Sequence, residues 1–237
     1  GGEMVQSADP QADLTRIRVL TSKAICGYNT GEPAFDCLRI VAAECDLTQK
    51  MADDVIDGFA LDAADWHPLH EDDLYRYCYH VAGAVGVMMA VVMGVSPQDD
   101  ATLDRACDLG IAFQLSNIAR DIVEDGRAGR CYLPDDWQAK LGICPGEYLR
   151  PHNRPCLTLM ARWLCDEAAV YEASARTGAA SLPFRARWAV LAASGIYGDI
   201  ARKVRTSGDH AWDHRVYTAK PEKLLWVGKS FWQAMRN

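Results

Sequence analysis

Residues 114–125 read QLSNIARDIVED, and this is the most informative stretch of the chain. Its polar residues Gln114, Asn117, Asp121 and Asp125 are three, four and four positions apart, which places them on one face of one helix. Two carboxylates and two amides in a row supply the oxygen ligands that Mg²⁺ prefers, and bound Mg²⁺ commonly keeps substrate phosphates in its shell. The stretch therefore predicts a helix that carries a metal–diphosphate site.

The same pattern also has a plainer interpretation. A D-x-x-x-D pair is common on helices and mostly lies on a solvated face. Two further amides on the face, with Arg120 beside it, favour a site over that alternative. Arg120, Arg127 and Arg130 could bind phosphate oxygens through planar, bidentate contacts. They could equally do no more than neutralise Glu124 and Asp125.

The composition indicates a globular protein that does not bind nucleic acid. The 237 residues are 49% hydrophobic and 24% charged, which is ordinary for one large domain. A net charge of −7 argues against nucleic acid as a partner, since such proteins present a basic face. The nine cysteines form no C-x-x-C pair, so we expect most of them to be buried thiols in a reducing compartment, and the protein to be cytoplasmic.

Almost every segment has helical periodicity, and none shows the alternation of a half-buried strand. We therefore expect a single all-α domain over residues 1–237. The uncharged run at 77–96 is long enough to span a bilayer, but its three glycines and moderate hydropathy favour a buried core helix. The predicted helices are at 13–24, 33–44, 48–60, 71–94, 99–125, 135–140, 145–149, 153–178, 183–206 and 220–235.

A second motif, YCYHVAGAVG, occupies residues 77–86. Its small residues allow a neighbouring helix or a long apolar ligand to approach the backbone closely. Tyr77 shares a helix face with Val81, Ala84 and Val85, which places a phenol at the end of an apolar stripe. Core packing and contact with an apolar ligand both explain this pattern.

In these motifs the chain resembles the squalene/phytoene synthase family. The similarity begins near Pro33, continues to the C-terminus, and keeps the motifs in the family's order. The stretches that carry it are YCYHVAGAVG at 77–86, ACDLGIAFQLSNIARDIVED at 106–125 and RCYLP at 130–134, with weaker support from SGIYGDIARK at 194–203 and AWDHRVYTAK at 211–220.

The resemblance implies an isoprenoid synthase fold, all-helical around a central cavity. It implies that two geranylgeranyl diphosphates join head to head, through prephytoene diphosphate, to give phytoene in carotenoid biosynthesis. Mg²⁺, for which Mn²⁺ could substitute, is the expected cofactor. No NADPH is expected, because phytoene forms by proton loss and needs no hydride. The alternatives are a squalene or dehydrosqualene synthase that uses farnesyl diphosphate, and a family member without catalysis that acts as an assembly scaffold.

The family's functional residues transfer to matching positions. The resemblance implies that Asp121 and Asp125 form the second aspartate-rich motif, which binds metal and diphosphate together with Asn117. Gln114 lines the reaction centre beside them. The remaining implied contacts are Tyr77, Tyr197, Arg120, Arg130, Arg215 and Lys220 near the diphosphate or cation, and Val81, Ala82 and Val85 along the prenyl chain.

The family's first aspartate-rich motif has no good match. DDVID at residues 53–57 spells it, but this stretch starts only 24 residues before Tyr77 and lacks the preceding C-R context. We therefore interpret Asp53 and Asp57 as part of an ordinary acidic helix. Together with the Gly1-Gly2 start, this predicts a chain that is incomplete at its N-terminus and that by itself could be inactive.

The implied chemistry also predicts partners. The substrate is a prenyl diphosphate, and the hydrocarbon product must leave into lipid. We therefore expect a cytoplasmic protein that associates peripherally with the inner membrane and meets downstream carotenoid enzymes there.

Overall fold

The computed structural model describes residues 9–64 and 66–236, which form helices and turns without any strand. The all-α class predicted from periodicity is confirmed. The Gly1-Gly2 start lies outside the described residues. The helices are α1 (Pro10–Ile25), α2 (Pro33–Cys45), α3 (Gln49–Ala63), α4 (Glu71–Cys78), α5 (Ala84–Val92), α6 (Asp100–Arg127), α7 (Asp135–Lys140), α8 (Arg154–Gly178), α9 (Phe184–Ser207) and α10 (Lys220–Arg236).

Local sequence signals begin several of these helices. The side chains of Asp9, Thr48 and Asp99 each accept a hydrogen bond from a backbone N–H in the first turn of α1, α3 and α6. Proline opens α1 and α2, where its missing N–H costs nothing. These signals explain why the predicted starts lie within a few residues of the observed ones.

Two predicted helices were wrong in detail. Residues 145–149 form turns rather than a helix, and Gly146 there has a φ of 78°, in the left-handed region that interrupts helices. The predicted helix 71–94 is divided by a π-helical segment, Tyr79–Gly83, between α4 and α5. The π-helical segment lies inside the YCYHVAGAVG motif.

Helix α6 is the centre of the fold. Its 28 residues make it about 42 Å long. Leu115, Ile118, Ala119 and Ile122 are buried on the side that packs against α8 in the main hydrophobic core. The opposite side carries the polar residues of 114–125. Burial of the apolar side against the core therefore fixes the direction in which the polar side points.

The π-helical segment and α5 cross α6 at very short range. A Cβ atom on Gly110 would lie 2.1 Å from the carbonyl oxygen of Ala82, and one on Gly86 would lie 2.3 Å from that of Ala106. No side chain fits at either position. The small residues of the motif are therefore required by backbone contact between these helices, as the packing interpretation predicts.

The cysteines are less buried than we expected. Only Cys78 and Cys165 are buried, whereas Cys26, Cys37 and Cys144 are exposed. All nine are free thiols. Because only two of the nine thiols are buried, the prediction that most serve as buried apolar side chains is wrong.

No helix in the described part of the chain combines the length and apolar character needed to cross a bilayer. The uncharged run at 77–96 is only partly the core helix we predicted. Ala84, Ala90 and Val91 are buried, but Val85 and Met89 are substantially exposed.

Candidate active site

A largely apolar cavity of about 490 Å³ lies between α5, α6, α8 and α9. Along α6 it extends from Thr102 to Asn117, which is about 22 Å of helix. Much of its wall consists of alanine and glycine, and these small residues leave the space that larger side chains would fill. Val81, Ala82 and Val85, predicted to contact a prenyl chain, all line it.

One end of the cavity is polar. Gln114 and Asn117 of α6 and Tyr197 of α9 line it there. The ring of Tyr197 stacks on Phe113, with centroids 4.1 Å apart. The structure thus brings together a residue predicted at the reaction centre, one predicted to bind metal and one predicted near the diphosphate or cation, although Tyr197 is at least 80 positions from the other two.

Beyond this end, Asp121 is held by two arginines. Two nitrogens of Arg120 donate hydrogen bonds to its carboxylate, and Nε lies 2.7 Å from Oδ1. Arg215 lies 3.5 Å from the same carboxylate and 2.6 Å from Glu124. The bond to Asp121 raises the pKa of the Arg120 guanidinium, so this cation is permanent. The ion pair of Arg120 is therefore with Asp121, rather than with Glu124 or Asp125 as the plainer interpretation has it, and its contact with phosphate remains a prediction.

Asp125 lies one helical turn further, in a small recess lined also by Arg130, Tyr132 and Tyr148. Burial and the nearby charge of Asp121 raise the pKa of its carboxyl to about 6, against the opposing charge of Arg130. A carboxylate pair that is partly desolvated and mutually repelling is stabilised by a cation between or beside its members. The donor set of Asp121, Asp125 and Asn117 therefore fits a hard divalent metal.

Tyr77 is almost completely buried, at 4% exposure. Its ring lies between those of Trp66 and Tyr132, with centroids 5.1 and 5.0 Å away. Its phenol donates a hydrogen bond of 2.9 Å to Oδ1 of Asp62 at the end of α3. Sequence reasoning missed Asp62, because Asp62 and Tyr77 lie in different helices and no periodicity within one helix relates them.

Asp62 also belongs electrostatically to this region. Burial raises the pKa of its carboxyl, while the bond from Tyr77 and the charge of Arg130 act in the opposite direction. The same Arg130 charge acts on Asp125. The charge of Arg130 therefore acts on two carboxylates, one from α3 and one from α6.

Two groups of acidic or basic residues are not among those that line the cavity or the recess. Lys220 is exposed at the start of α10 and is not among the residues that line the cavity or the recess. On α3, Asp54 and Asp57 lie with His80 in a group whose ligand atoms are within 4.8 Å of one another. Their carboxylates already have partners, namely Lys50 and Tyr79 for Asp54 and Arg18 for Asp57. The interpretation of 53–57 as an ordinary acidic helix remains a prediction.

Comparison with known proteins agrees with this geometry. The squalene/phytoene synthase family model matches residues 2–222. The 15-cis-phytoene synthase of Pantoea ananas is 46% identical over 228 residues, which cover 96% of this chain and 73% of that protein. The 15-cis-phytoene synthase of a Paracoccus strain is 46% identical over 231 residues, which cover 97% of this chain and 74% of that protein.

Solved structures show the same fold at lower identity. A dehydrosqualene synthase superposes with a TM-score of 0.85 at 23% identity, covering 96% of this chain and 80% of the other. The squalene synthase HpnC from Alicyclobacillus acidocaldarius gives a TM-score of 0.76 at 22% identity, covering 86% and 76%. At these identities the likeness establishes the helical fold around a cavity and nothing finer.

Proposed function

The chain belongs to the squalene/phytoene synthase family, and on that basis we propose that it condenses two geranylgeranyl diphosphates to phytoene. The observation that carries this proposal is the apolar cavity that ends at the polar face of α6. A cavity of this kind can hold prenyl chains while their diphosphates remain at the carboxylates and arginines. Curated bacterial relatives at 45–48% identity are phytoene synthases, which favours this product over squalene.

At the polar end, Asp121, Asp125 and Asn117 would hold Mg²⁺. The metal, when bound, supplies positive charge that stabilises the departing diphosphate. Arg120 and Arg215 are already in place beside Asp121 and can turn towards phosphate oxygens. The chain's own cations thus share the task of stabilising the leaving group.

Inside the cavity, the residues protect the allylic cation. Ionisation leaves a carbocation that water would trap, so the wall must exclude water. The aliphatic side chains from α5 and the alanines of α8 and α9 provide such a wall. Tyr197, stacked on Phe113, places an electron-rich ring at the polar end, where cationic carbon would first appear.

The remaining proposals concern the cell. Phytoene is a hydrocarbon and must pass into lipid, so the enzyme works at the surface of a membrane, with downstream carotenoid enzymes nearby. Mn²⁺ could replace Mg²⁺, and the reaction takes no NADPH.

Product analysis tests the proposed function. The 237-residue protein is incubated with Mg²⁺ and either geranylgeranyl or farnesyl diphosphate, and the extracted hydrocarbons are separated by chromatography. We expect a C40 product from geranylgeranyl diphosphate that disappears with EDTA. A C30 product from farnesyl diphosphate alone would instead support the squalene or dehydrosqualene alternative. Absence of any hydrocarbon would contradict the proposal for this chain.

A further inference from the structure

Arg130 follows α6 in a tight turn, and both of its backbone groups are hydrogen-bonded. Its N–H donates a 2.9 Å bond to the carbonyl oxygen of Asp125, and its carbonyl oxygen accepts a 3.2 Å bond from the phenol of Tyr148. Gly129, directly before it, has a φ of 82°, in the left-handed region that lets the chain reverse. These bonds hold Arg130 next to the metal face, that is, the side of α6 with Asp121 and Asp125.

Tyr148 reaches this turn because of a glycine in α6. It lies in the 145–149 segment, which forms turns rather than a helix, and only 7% of it is exposed. A Cβ atom on Gly126 would lie 2.4 Å from the phenol oxygen. Gly126 directly follows Asp125, so the missing side chain leaves room for the phenol at the very end of the metal face.

The phenol interacts with the same loop through a second group. It also has a hydrogen-bond interaction with the thiol of Cys131, whose Sγ donates to the carbonyl oxygen of Leu133 at 3.7 Å. Burial raises the pKa of the Tyr148 phenol, so it stays protonated and can donate. Because Arg130 and Cys131 are neighbours in the chain, both interactions of the phenol hold the loop 130–134.

This loop brings a positive charge to the recess at the end of α6. Arg130, Tyr148 and Asp125 line that recess together. The charge of Arg130 acts on Asp125 and, from the other side, on Asp62. A displaced loop would carry this charge away from the carboxylates and from diphosphate held beside them, since the attraction between charges falls with distance.

We propose that Tyr148 is a positioning residue for diphosphate binding, whose phenol holds the backbone of Arg130 and thereby keeps the Arg130 guanidinium beside the diphosphate at the metal face. The inference rests on the proposed function, which brings diphosphate to this face. In this arrangement Arg130 binds a phosphate oxygen. Tyr148 acts through Arg130, because the loop already engages its own proton. The two residues are therefore expected to act as one unit.

Binding of inorganic diphosphate to the 237-residue protein in the presence of Mg²⁺ tests the inference, with Kd measured by isothermal titration calorimetry. Arg130→Ala is expected to raise Kd at least about tenfold, because it removes a charge-assisted contact. Tyr148→Phe keeps the ring and removes only the phenol oxygen, and it is expected to raise Kd about three- to tenfold. Adding Tyr148→Phe to Arg130→Ala should change Kd by no more than about twofold.

Two further variants separate positioning from a general structural role. Arg130→Lys keeps a positive charge on the same backbone, so adding Tyr148→Phe to it should again raise Kd at least about threefold. The matched control is Tyr75→Phe, which removes a 3.0 Å bond to Glu71 from a half-buried tyrosine that lines neither the cavity nor the recess. Its Kd should stay within about twofold of that of the unchanged protein.

The outcomes are distinct. Additive losses in Tyr148→Phe with Arg130→Ala, an unchanged Kd in Tyr148→Phe, or an equal loss in Tyr75→Phe would each overturn the inference while the proposed function stands. Failure of the unchanged protein to bind diphosphate would also overturn it, whatever hydrocarbon the protein forms. Coupled losses in a protein that forms no hydrocarbon would overturn the proposed function alone, since diphosphate binding is measured without turnover.

Circular dichroism of every variant identifies a loss of binding that is due to unfolding. If Tyr148→Phe unfolds, Gly126→Ala decides the question, because its Cβ displaces the phenol without removing it. We expect Gly126→Ala to raise Kd at least about threefold in the unchanged protein and by no more than about twofold when it is added to Arg130→Ala. An equal loss in both backgrounds would overturn the inference.

Discussion

At the scale of single residues, the two carboxylates on the polar face of α6 are compensated by positive charge to different degrees. Asp121 is paired with Arg120 and Arg215, whereas Asp125 is partly desolvated and has only partial compensation from Arg130. The two carboxylates of one D-x-x-x-D pair therefore differ. Asp121 is paired with two arginines, whereas the carboxyl of Asp125 has a raised pKa. We therefore expect replacement of the two residues to have different effects.

Replacement of Asp121 tests the metal face. Asp121→Asn keeps the shape and one acceptor for Arg120 but removes the charge that would hold Mg²⁺. We expect kcat for phytoene formation to fall by at least about a hundredfold, with circular dichroism unchanged. Asp104→Asn, an exposed acid on the same helix, is the control and should retain activity. Full activity in Asp121→Asn would remove this residue from the metal site.

Replacement of Asp125 tests its raised pKa through stability. A carboxyl with a pKa near 6 in the folded state and 3.8 otherwise binds its proton more tightly when folded. Its ionisation therefore lowers the stability of the folded protein as pH rises through that window. In buffer with EDTA, Asp125→Asn should have a higher Tm than the unchanged protein at pH 8. The difference should vanish at pH 4, where Asp125 is protonated, and an equal difference at both values would contradict the assignment.

At the scale of secondary structure, the cavity depends on how closely the helices approach. The carbonyl of Ala82 lies against Gly110, and that of Ala106 lies against Gly86. The first of these carbonyls belongs to the π-helical segment. The segment that departs from α-helical geometry is therefore also one that packs closely against α6. The periodicity of residues 71–94 did not predict this departure.

Alanine at Gly110 tests this contact. Its Cβ would lie 2.1 Å from a backbone oxygen, so the helices must separate. We expect the free energy of unfolding, measured by urea denaturation, to fall by about 1–3 kcal/mol. Gly228 in α10 is the control, because a Cβ there meets nothing within 4 Å. Gly228→Ala should stabilise the protein by about 0.5–1 kcal/mol, the usual gain for an open position inside a helix. Equal effects at both glycines would exclude the contact.

At the scale of the whole molecule, the cavity is a joint product of four helices that are distant in the sequence. Ala193 of α9 and Ala106 of α6 line the same space, together with Ala175 of α8 and Val85 of α5. None of these helices contains a cavity by itself. The volume of the cavity depends on the small residues that each helix contributes. The length of prenyl chain that the cavity can hold is therefore set by the assembled fold.

Filling the cavity tests this view. Ala106 lines the cavity on α6, about 16 Å of helix from Asn117 at the polar end, so Ala106→Phe should occupy space that the far end of the longer prenyl chain needs. We expect kcat/KM for geranylgeranyl diphosphate to fall at least about tenfold, with a smaller loss for the shorter farnesyl diphosphate. Ala173→Phe, at an exposed position of α8, is the control. A proportional loss for both substrates would show that the variant disturbs the fold rather than the length of the cavity.

Local sequence patterns account for most of the helices and for the polar face of α6. Periodicity places Gln114, Asn117, Asp121 and Asp125 on one side because helical geometry is local, and burial of the other side then orients them. The motif glycines were likewise predicted to permit close approach. Their contact with α6 follows from their lack of a side chain.

Contacts between residues that are distant in the sequence follow from the folded chain alone. Tyr77 and Asp62 belong to different helices, and Tyr197 reaches Phe113 across 84 positions. The angle at which two helices pack depends on contacts that no local pattern encodes. The same is true of the backbone carbonyls that occupy the space beside Gly110 and Gly86. The sequence could therefore predict a polar helix face with two carboxylates, whereas the cavity, the arginines around Asp121 and the acceptor for Tyr77 required the folded chain.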